Sequence, residues 1–339
     1  MINSRLFDWY GIDTNKDLQI NTRCPRPFDT VLIDKQGSCY LCECTAWLPQ
    51  SAGNLYVQSL ETILNSNTAK ILRNSIEDGS YRYCNDQQCS YLISEKRAVE
   101  YGNQRLNWPN SVTKVQIKNI RLAIDDSCNL QCPSCRTKLI FEKDKVKLRK
   151  KFELADKIIE YVKQQSHTIN LHLGSDGDPF ASLIYRYFAQ QTEVLSNVKF
   201  SIQTNGLLVK KMYKRFQKIF KNLNVLNISI DGASKATYEK LRKGGSFEKI
   251  LENLNFLKSI EKKFKVNLHM VVQQENWQEM PAMIKLAEEF NVDKVFFNKI
   301  QNWNTGIDFS KQTFANNKEF KKVFEEIKTN PLSSFFQLL

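Results

Sequence analysis

The segment Cys128-Asn-Leu-Gln-Cys132-Pro-Ser-Cys135 decides how this chain folds and what chemistry it can carry. It directly follows residues 115–125, a run rich in Val, Ile and Leu that predicts a buried strand. Three thiolates on one short loop can hold three irons of a cubane iron-sulfur cluster and leave the fourth iron without a protein ligand. The motif therefore predicts an open metal site at the end of a strand.

A structural zinc site is the alternative interpretation of these cysteines. Structural zinc normally takes four protein ligands, and no histidine or fourth cysteine lies near the motif in the sequence. The three-cysteine spacing therefore favours the cluster.

The chain after the motif alternates β-rich runs with helical ones. Further strands are predicted at residues 168–173, 198–204, 225–231, 266–272 and 294–300. Between them, residues 247–257 carry apolar side chains three and four residues apart, and Asn276 followed by Glu279 predicts a capping box at the start of a helix. Six successive β/α units predict a parallel sheet, open or barrel-like, with ligands at the carboxyl ends of its strands.

Composition limits the class of protein. The 339 residues, 42% of them apolar, are enough for one large domain and a smaller one, and the polar stretch at residues 103–111 is the expected boundary. The sequence shows no secretory signal and no apolar run of about 20 residues that could span a bilayer, so a soluble, cytoplasmic protein is expected. In that compartment nine cysteines indicate metal binding or catalysis rather than disulfides.

The net charge of +13 favours anionic partners without choosing among them. The lysine-rich stretches at residues 138–151 and 210–221 are the densest in positive charge, and the second has apolar residues at helical intervals, typical of a solvated amphipathic face. Nucleic acid is therefore not the expected partner.

The cysteine motif and the residues that follow later strands resemble the radical SAM superfamily, in which S-adenosylmethionine (SAM) binds to a 4Fe-4S cluster. The resemblance covers residues 113–305 and implies a partial (β/α)6 TIM-like barrel within an α/β fold class. Three elements carry it besides the cysteines: Asp176-Gly177-Asp178-Pro179, Gln203-Thr204-Asn205-Gly206, and Ser229-Ile-Asp231-Gly232 continuing to Arg242-Lys-Gly244-Gly245.

The resemblance implies a role for each of these elements. Asp176, Gly177 and Asp178 match the element that binds the amino group of SAM, with Asp178 in place of the usual glutamate. Gln203 and Asn205 match the element near the ribose. Ser229 and Arg242 match the residues that contact the SAM carboxylate, for which a guanidinium is well suited because it presents paired donors and keeps its charge. No catalytic side chain is assigned.

A second group of cysteines precedes the core and resembles the SPASM or Twitch auxiliary domain. Cys24 and Cys42 flank Gly37, where a strand pair is expected to turn, and Cys84 and Cys89 follow downstream. The resemblance implies a second 4Fe-4S cluster closed by these four thiolates, although two separated cysteine pairs also describe a structural zinc site. Cys39 and Cys44 are left outside the site.

The resemblance thus predicts an auxiliary domain at residues 1–110 and a radical SAM core at residues 111–339, an order in which the auxiliary domain comes first. It implies an enzyme of the oxidoreductase type that cleaves SAM to a 5'-deoxyadenosyl radical, abstracts hydrogen from a peptide, sugar or small metabolite, and oxidises or crosslinks it. The expected partner is a reductant such as flavodoxin or ferredoxin. The alternative is a non-catalytic scaffold that binds zinc or iron and sulfur, with nucleic acid as a partner.

Overall fold

The computed structural model describes residues 2–20, 23–93, 114–301 and 307–336. The chain divides into two compact units. The first comprises Met1–Asp125, Lys145–Ser175 and Leu195–Val198, and the second comprises Asp126–Asp144, Asp176–Val194 and Lys199–Leu339. The predicted boundary between residues 110 and 111 lies outside the described residues and stays a prediction.

The first unit combines an antiparallel hairpin with parallel strands. Its strands are β1 Thr30–Asp34, β2 Ser38–Tyr40, β3 Ser51–Asn54, β4 Asn119–Ala123 and β5 Ile169–Leu173. They lie in the order β5-β4-β1-β2-β3. β1 pairs antiparallel with β2 and parallel with β4. The helices are α1 Ser4–Trp9, α2 Arg26–Asp29, α3 Leu60–Leu64, α4 Asn67–Glu77 and α5 Lys145–Lys163.

Gly37 makes the tight turn between β1 and β2. Its φ is 78°, in the left-handed region that favours glycine, and a Cβ there would lie 2.7 Å from the Tyr56 ring. The hairpin that was expected to turn at this glycine is therefore present.

The second unit contains a parallel sheet. Its strands, paired in chain order, are β6 Val198–Thr204, β7 Leu223–Ser229, β8 Lys265–Val272, β9 Lys294–Lys299 and β10 Ser333–Phe336. Val198, the first residue of β6, belongs to the first unit. The helices are α6 Leu183–Thr192, α7 Val209–Arg215, α8 Gln217–Lys221, α9 Lys235–Leu241, α10 Phe247–Ser259, α11 Met280–Glu289 and α12 Lys318–Ile327. Short 3-10 turns occur at Trp277–Glu279, Phe309–Lys311 and Phe314–Asn316.

The element order confirms the α/β fold class and the parallel strands. Each strand from β4 to β9 is followed by at least one helix, so the predicted succession of six β/α units is present. The predicted strand bounds agree with the structure to within two residues, except that β4 is confined to Asn119–Ala123. Among the described residues, no helix is both long enough and apolar enough to cross a membrane.

The two faces of the second unit's sheet differ in polarity. Alternate side chains of a strand point to opposite faces, and one face here carries Ile228, Leu268 and Phe297, which are fully buried. The other face carries hydrogen-bonding groups such as Asn227 and His269, whose Oδ1 and Nε2 atoms lie 3.1 Å apart. Burial, followed by the nearby Arg242, lowers the pKa of His269 to about 4, so this imidazole is neutral at pH 7.

The capping box predicted at Asn276 and Glu279 is wrong. The Asn276 side chain makes no cap hydrogen bond to the following turn. Its Nδ2 donates instead to the carbonyl oxygens of Asp231 and Val271, both at 2.9 Å. The Glu279 carboxylate accepts hydrogen bonds from the start of α9, among them Ser234 Oγ at 2.7 Å. Long-range contacts thus take both side chains away from their local roles.

Candidate functional site

The three core cysteines lie on a loop of the second unit that is fastened back on itself. Cys128 forms an antiparallel bridge with Ile140, and its N–H donates to the Ile140 carbonyl at 2.9 Å. The N–H of Cys135 donates to the Cys132 carbonyl at 2.9 Å, which closes a tight turn. Cys128 and Cys132 are buried and Cys135 is exposed. The structure therefore keeps the predicted triad on one compact loop.

Each of these thiols has a hydrogen-bond donor or a cation beside it. The N–H of Leu130 lies 3.4 Å from the Cys128 sulfur. Arg136 Nη2 lies 3.5 Å from the Cys135 sulfur, and Arg242 Nη1 lies 4.0 Å from the Cys132 sulfur. Such neighbours stabilise negative charge on sulfur. The donor set thus fits three thiolates that bind iron.

Burial raises the pKa of two of these thiols and so opposes the effect of the neighbouring donors and cations. It raises the pKa of Cys128 to about 11, and the nearby Asp178 carboxylate adds to the effect. Burial also raises the pKa of Cys132, while Arg242 lowers it in part. A metal that binds here must therefore displace protons, and the adjacent cation assists that displacement.

Asp178 connects the cysteine loop to the ends of the strands. This carboxylate is only 1% exposed. One oxygen accepts the N–H groups of Phe180 and Ala181, at 3.0 and 3.2 Å. The other accepts Thr204 Oγ1 at 2.8 Å and the N–H of Asn205 at 2.7 Å. One side chain thus fixes the turn before α6 and the loop after β6.

Asn205 continues this connection to the cysteines. Its Nδ2 donates to Asn129 Oδ1 at 2.8 Å and lies 3.8 Å from the Cys128 sulfur. In addition, the N–H of Asp178 donates to the Ser127 carbonyl at 2.9 Å. The predicted elements around residues 178 and 205 are therefore brought together with the cysteine loop within the second unit.

Asp178 holds the turn before α6 and the loop after β6, and its predicted contact with the amino group of SAM stays a prediction. Its two oxygens already accept four hydrogen bonds, close to the capacity of a carboxylate. The exposed Asp176 and the half-buried Gly177 lie in the same turn as Asp178. Their backbone carbonyl oxygens can accept hydrogen bonds from an amino group.

Arg242 is held by a carboxylate that the predicted site omitted. Its Nε lies 2.8 Å from Asp231 Oδ2, an ion pair rather than an aligned hydrogen bond. Asp231 is 1% exposed, and its other oxygen accepts the N–H of Val271 at 2.8 Å. The sequence contained a signal, since Asp231 is the last residue of a predicted strand. The pairing itself joins residues eleven positions apart and has no sequence pattern.

Two further features border this ion pair. Tyr238 is fully buried, and its hydroxyl has no hydrogen-bond partner in the described part of the chain. A Cβ on Gly232 would lie 2.5 Å from the Tyr238 backbone nitrogen, so glycine is needed for α9 to approach the end of β7.

Ser229 accepts a hydrogen bond from Gln203 Nε2 at 2.6 Å. The predicted pair Gln203 and Ser229 therefore lies side by side.

The four auxiliary cysteines line one small cavity of the first unit. The other side chains that line the cavity are mainly apolar or aromatic, and Arg26 is charged. The apolar and aromatic side chains include Pro27, Trp47, Leu48, Ile76, Tyr81 and Leu92. Burial raises the pKa of all four thiols: Cys24, Cys42, Cys84 and Cys89. Four thiols around a shared, enclosed space fit a closed cluster.

Cys44 lies close enough to Cys42 and Cys89 to raise the pKa of both thiols, whereas Cys39 lies beside the turn at Gly37. The Cys39 thiol is fully buried in β2, 3.8 Å from the Gly37 carbonyl oxygen. The Cys44 sulfur accepts the backbone N–H groups of Ala46 and Trp47. Across residues 2–20, 23–93, 114–301 and 307–336, no three His, Cys, Asp or Glu side chains lie close enough to hold a single metal ion.

The core site and the auxiliary site each lie in a region that matches a known protein family. Residues 124–287 match the model of the radical SAM superfamily, and residues 24–90 match that of an iron-sulfur cluster-binding domain, SPASM. Over residues 124–287, just under half of its length, the chain thus matches the radical SAM superfamily. The two matches confirm, at the level of the family, the predicted iron-sulfur and SAM cofactors. Which residues hold them stays a prediction.

The curated relatives of the chain include two enzymes named GTP 3',8-cyclase. The one from Staphylococcus carnosus is 30% identical over 207 residues, which are 58% of each chain. The one from Lactiplantibacillus plantarum is 24% identical over 220 residues, covering 63% of this chain and 62% of the relative. The chain thus spans less than two thirds of the length of these relatives.

The chain is also similar to solved structures. Streptococcus suis SuiB bound to precursor peptide SuiA has 13% sequence identity and a TM-score of 0.46, covering 71% of this chain and 61% of SuiB. The structure of anSMEcpe with bound AdoMet has 16% identity and a TM-score of 0.46, covering 65% of this chain and 61% of that one.

Replacing Asp178 by Asn should destabilise the second unit. The amide nitrogen of Asn cannot accept a hydrogen bond, so at least one buried N–H loses its partner, at a cost of about 1–3 kcal/mol. The exposed Asp176→Asn, two residues away, is the matched control and should leave stability nearly unchanged. Urea denaturation of both variants measures the difference. Equal stability of the two variants would remove the connecting role from Asp178.

Proposed function

We propose that this chain is a radical SAM enzyme whose SAM-binding 4Fe-4S cluster is held by Cys128, Cys132 and Cys135. When bound, the cluster supplies the electron that cleaves SAM reductively, and the resulting 5'-deoxyadenosyl species abstracts hydrogen from the substrate. The observation that carries the proposal is the compact loop with three thiols, each beside a donor or a cation. The substrate class remains a peptide, a sugar or a small metabolite, and the outcome an oxidation or a crosslink.

The chain's own residues bind and orient the cofactor. Arg242 has its Nε beside Asp231 and a terminal nitrogen 4.0 Å from the Cys132 sulfur. Its guanidinium is therefore placed at a cluster ligand, where it can also bind a carboxylate. Ser229 and Gln203 form a polar pair at the ends of β6 and β7, which suits the carboxylate and the ribose. Asn205 holds Asn129 and Cys128 in place.

Cys24, Cys42, Cys84 and Cys89 form the second site of the proposal. Their enclosed, largely apolar cavity fits a cluster with four protein ligands, which leaves no iron open to substrate. We assign this site to electron transfer or to stabilising the first unit. All nine cysteines are free thiols, which fits a reducing compartment such as the cytoplasm.

GTP is a second candidate substrate. The relatives from Staphylococcus carnosus and Lactiplantibacillus plantarum are named for a reaction on GTP, and they match over more than half of this chain. GTP is therefore the first nucleotide to add to the reconstituted protein, and consumption of GTP that depends on SAM would support this alternative.

Anaerobically reconstituted protein should release 5'-deoxyadenosine from SAM when dithionite is supplied. An iron without a protein ligand can chelate SAM even in the absence of substrate, although turnover is then slow. Liquid chromatography with mass spectrometry measures the product. Absence of the nucleoside from protein with a confirmed intact cluster would contradict the proposal.

The alanine triple variant of Cys128, Cys132 and Cys135 is the control for that experiment. It should lose SAM cleavage completely and keep about half of the iron, because the auxiliary ligands lie elsewhere in the chain. Cys39→Ala and Cys44→Ala should leave iron content near that of the wild type. Complete loss of iron from the triple variant would show that no independent auxiliary cluster exists.

Arg242→Gln should weaken SAM binding while leaving the cluster loaded. A charge-assisted hydrogen bond is worth about 1.5–3 kcal/mol, so the dissociation constant should rise roughly 10- to 150-fold. The single variant also leaves the buried Asp231 without its cation, which destabilises the fold. Equilibrium binding and denaturation measure the two effects.

The double variant Arg242→Gln/Asp231→Asn separates these effects. It removes both charges, so the fold should regain stability relative to the single variant while SAM affinity stays low. Recovery of SAM affinity in the double variant would mean that Arg242 supports the fold and does not contact SAM.

A further inference from the structure

The loop after Cys135 forms an exposed, positively charged surface. We define the thiol-edge surface as residues 136–143 together with Lys243, all in the second unit. Leu139 is 51% exposed and Phe141 is 41% exposed. Large apolar side chains that are exposed together on a fixed segment are typical of interaction sites. Cys135, the exposed cysteine of the core triad, directly precedes this segment.

Several hydrogen bonds hold the thiol-edge surface in place. Gln131 Nε2 donates to the Thr137 carbonyl at 2.6 Å, and the N–H of Cys128 donates to the Ile140 carbonyl at 2.9 Å. The N–H of Glu142 donates to Ser127 Oγ at 3.1 Å. Leu139 and Phe141 flank Ile140, whose backbone is fixed by its bridge to Cys128.

The charges around these apolar side chains are mainly positive. Lys138, Lys143 and Lys243 are exposed, and none of them forms an ion pair within the described ranges. Glu142 and Asp144 carry the opposing charges at the end of the segment. The N–H of Gln131 donates to the Lys243 carbonyl at 2.9 Å, which fixes Lys243 beside the cysteine loop.

We propose that the thiol-edge surface is the docking site of a small acidic electron-carrier protein of the flavodoxin type. An apolar centre with lysines around it is complementary to a carrier that has an acidic rim. The exposed Cys135 provides the nearest covalent path from this surface to the cluster. In the docked pair the reduced carrier loses one electron and the cluster gains one, with no bond made or broken. This inference rests on the proposed function.

Charge reversal tests the docking site by binding rather than by activity. The probe is an oxidised bacterial flavodoxin, titrated into the reconstituted protein at low ionic strength by calorimetry. Lys138→Glu/Lys143→Glu should weaken binding by about tenfold or more, and the difference should shrink as salt is added. Arg136 is left unchanged because it contacts Cys135.

The matched control is Lys262→Glu/Lys263→Glu. This pair makes the same change of charge next to the amino end of β8. The cysteine loop is joined to the carboxyl end of β6, at the opposite edge of the parallel sheet. The control pair should bind flavodoxin like the wild type. Equal weakening by both pairs, or no weakening by the first pair, would overturn the docking site.

A dithionite assay separates this inference from the proposed function. Dithionite is a small reductant that needs no protein docking, so the Lys138→Glu/Lys143→Glu variant should release 5'-deoxyadenosine with dithionite as fast as the wild type does. Slower release with flavodoxin alone supports the docking site. Equal slowing with both reductants would overturn it. Absence of the nucleoside from wild-type protein with dithionite would instead refute the proposed SAM-cleaving activity.

Discussion

The organisation of the second unit depends on the buried carboxylate of Asp178. Its oxygens accept four hydrogen bonds, from the turn before α6 and from the loop after β6. Asn205 extends the connection to Asn129 and Cys128. Parallel strands bring their carboxyl ends to one edge, but they do not by themselves fix the loops that follow. Asp178 supplies that constraint by satisfying buried donors that otherwise would have no partner.

The two cysteine sites differ in the charge and polarity of their surroundings. In the core site, Arg136 and Arg242 lie beside cysteine sulfurs, and Asp231 balances one of these cations. In the auxiliary site, the cavity is mainly apolar, and its neighbour Arg26 already forms an ion pair with Glu43. Cations near a cluster stabilise its reduced, more negative state, whereas an apolar enclosure disfavours added charge. This contrast suits a core cluster that accepts an electron and an enclosed auxiliary cluster with closed coordination.

The sequence predicted the secondary structure well because its signals are local. A run rich in apolar residues predicted β6 at its observed bounds, and the cysteine spacing identified the loop at residues 128–135. The contacts that organise the site were not predictable in this way. The pairing of Arg242 with Asp231 depends on how α9 packs against the end of β7, and no periodic pattern encodes it. The capping box at Asn276 failed for the same reason, since distant carbonyl groups bind its amide.

In the proposed core site, three cysteines hold a cluster with one iron open to SAM. Mössbauer spectroscopy of protein reconstituted with ⁵⁷Fe, recorded with and without SAM, tests it most directly. If both clusters are present, SAM should change the isomer shift and quadrupole splitting of about one iron in eight, because a single iron gains nitrogen and oxygen ligands. A spectrum in which SAM changes no iron, recorded on protein with a full complement of iron and sulfide, would contradict the account.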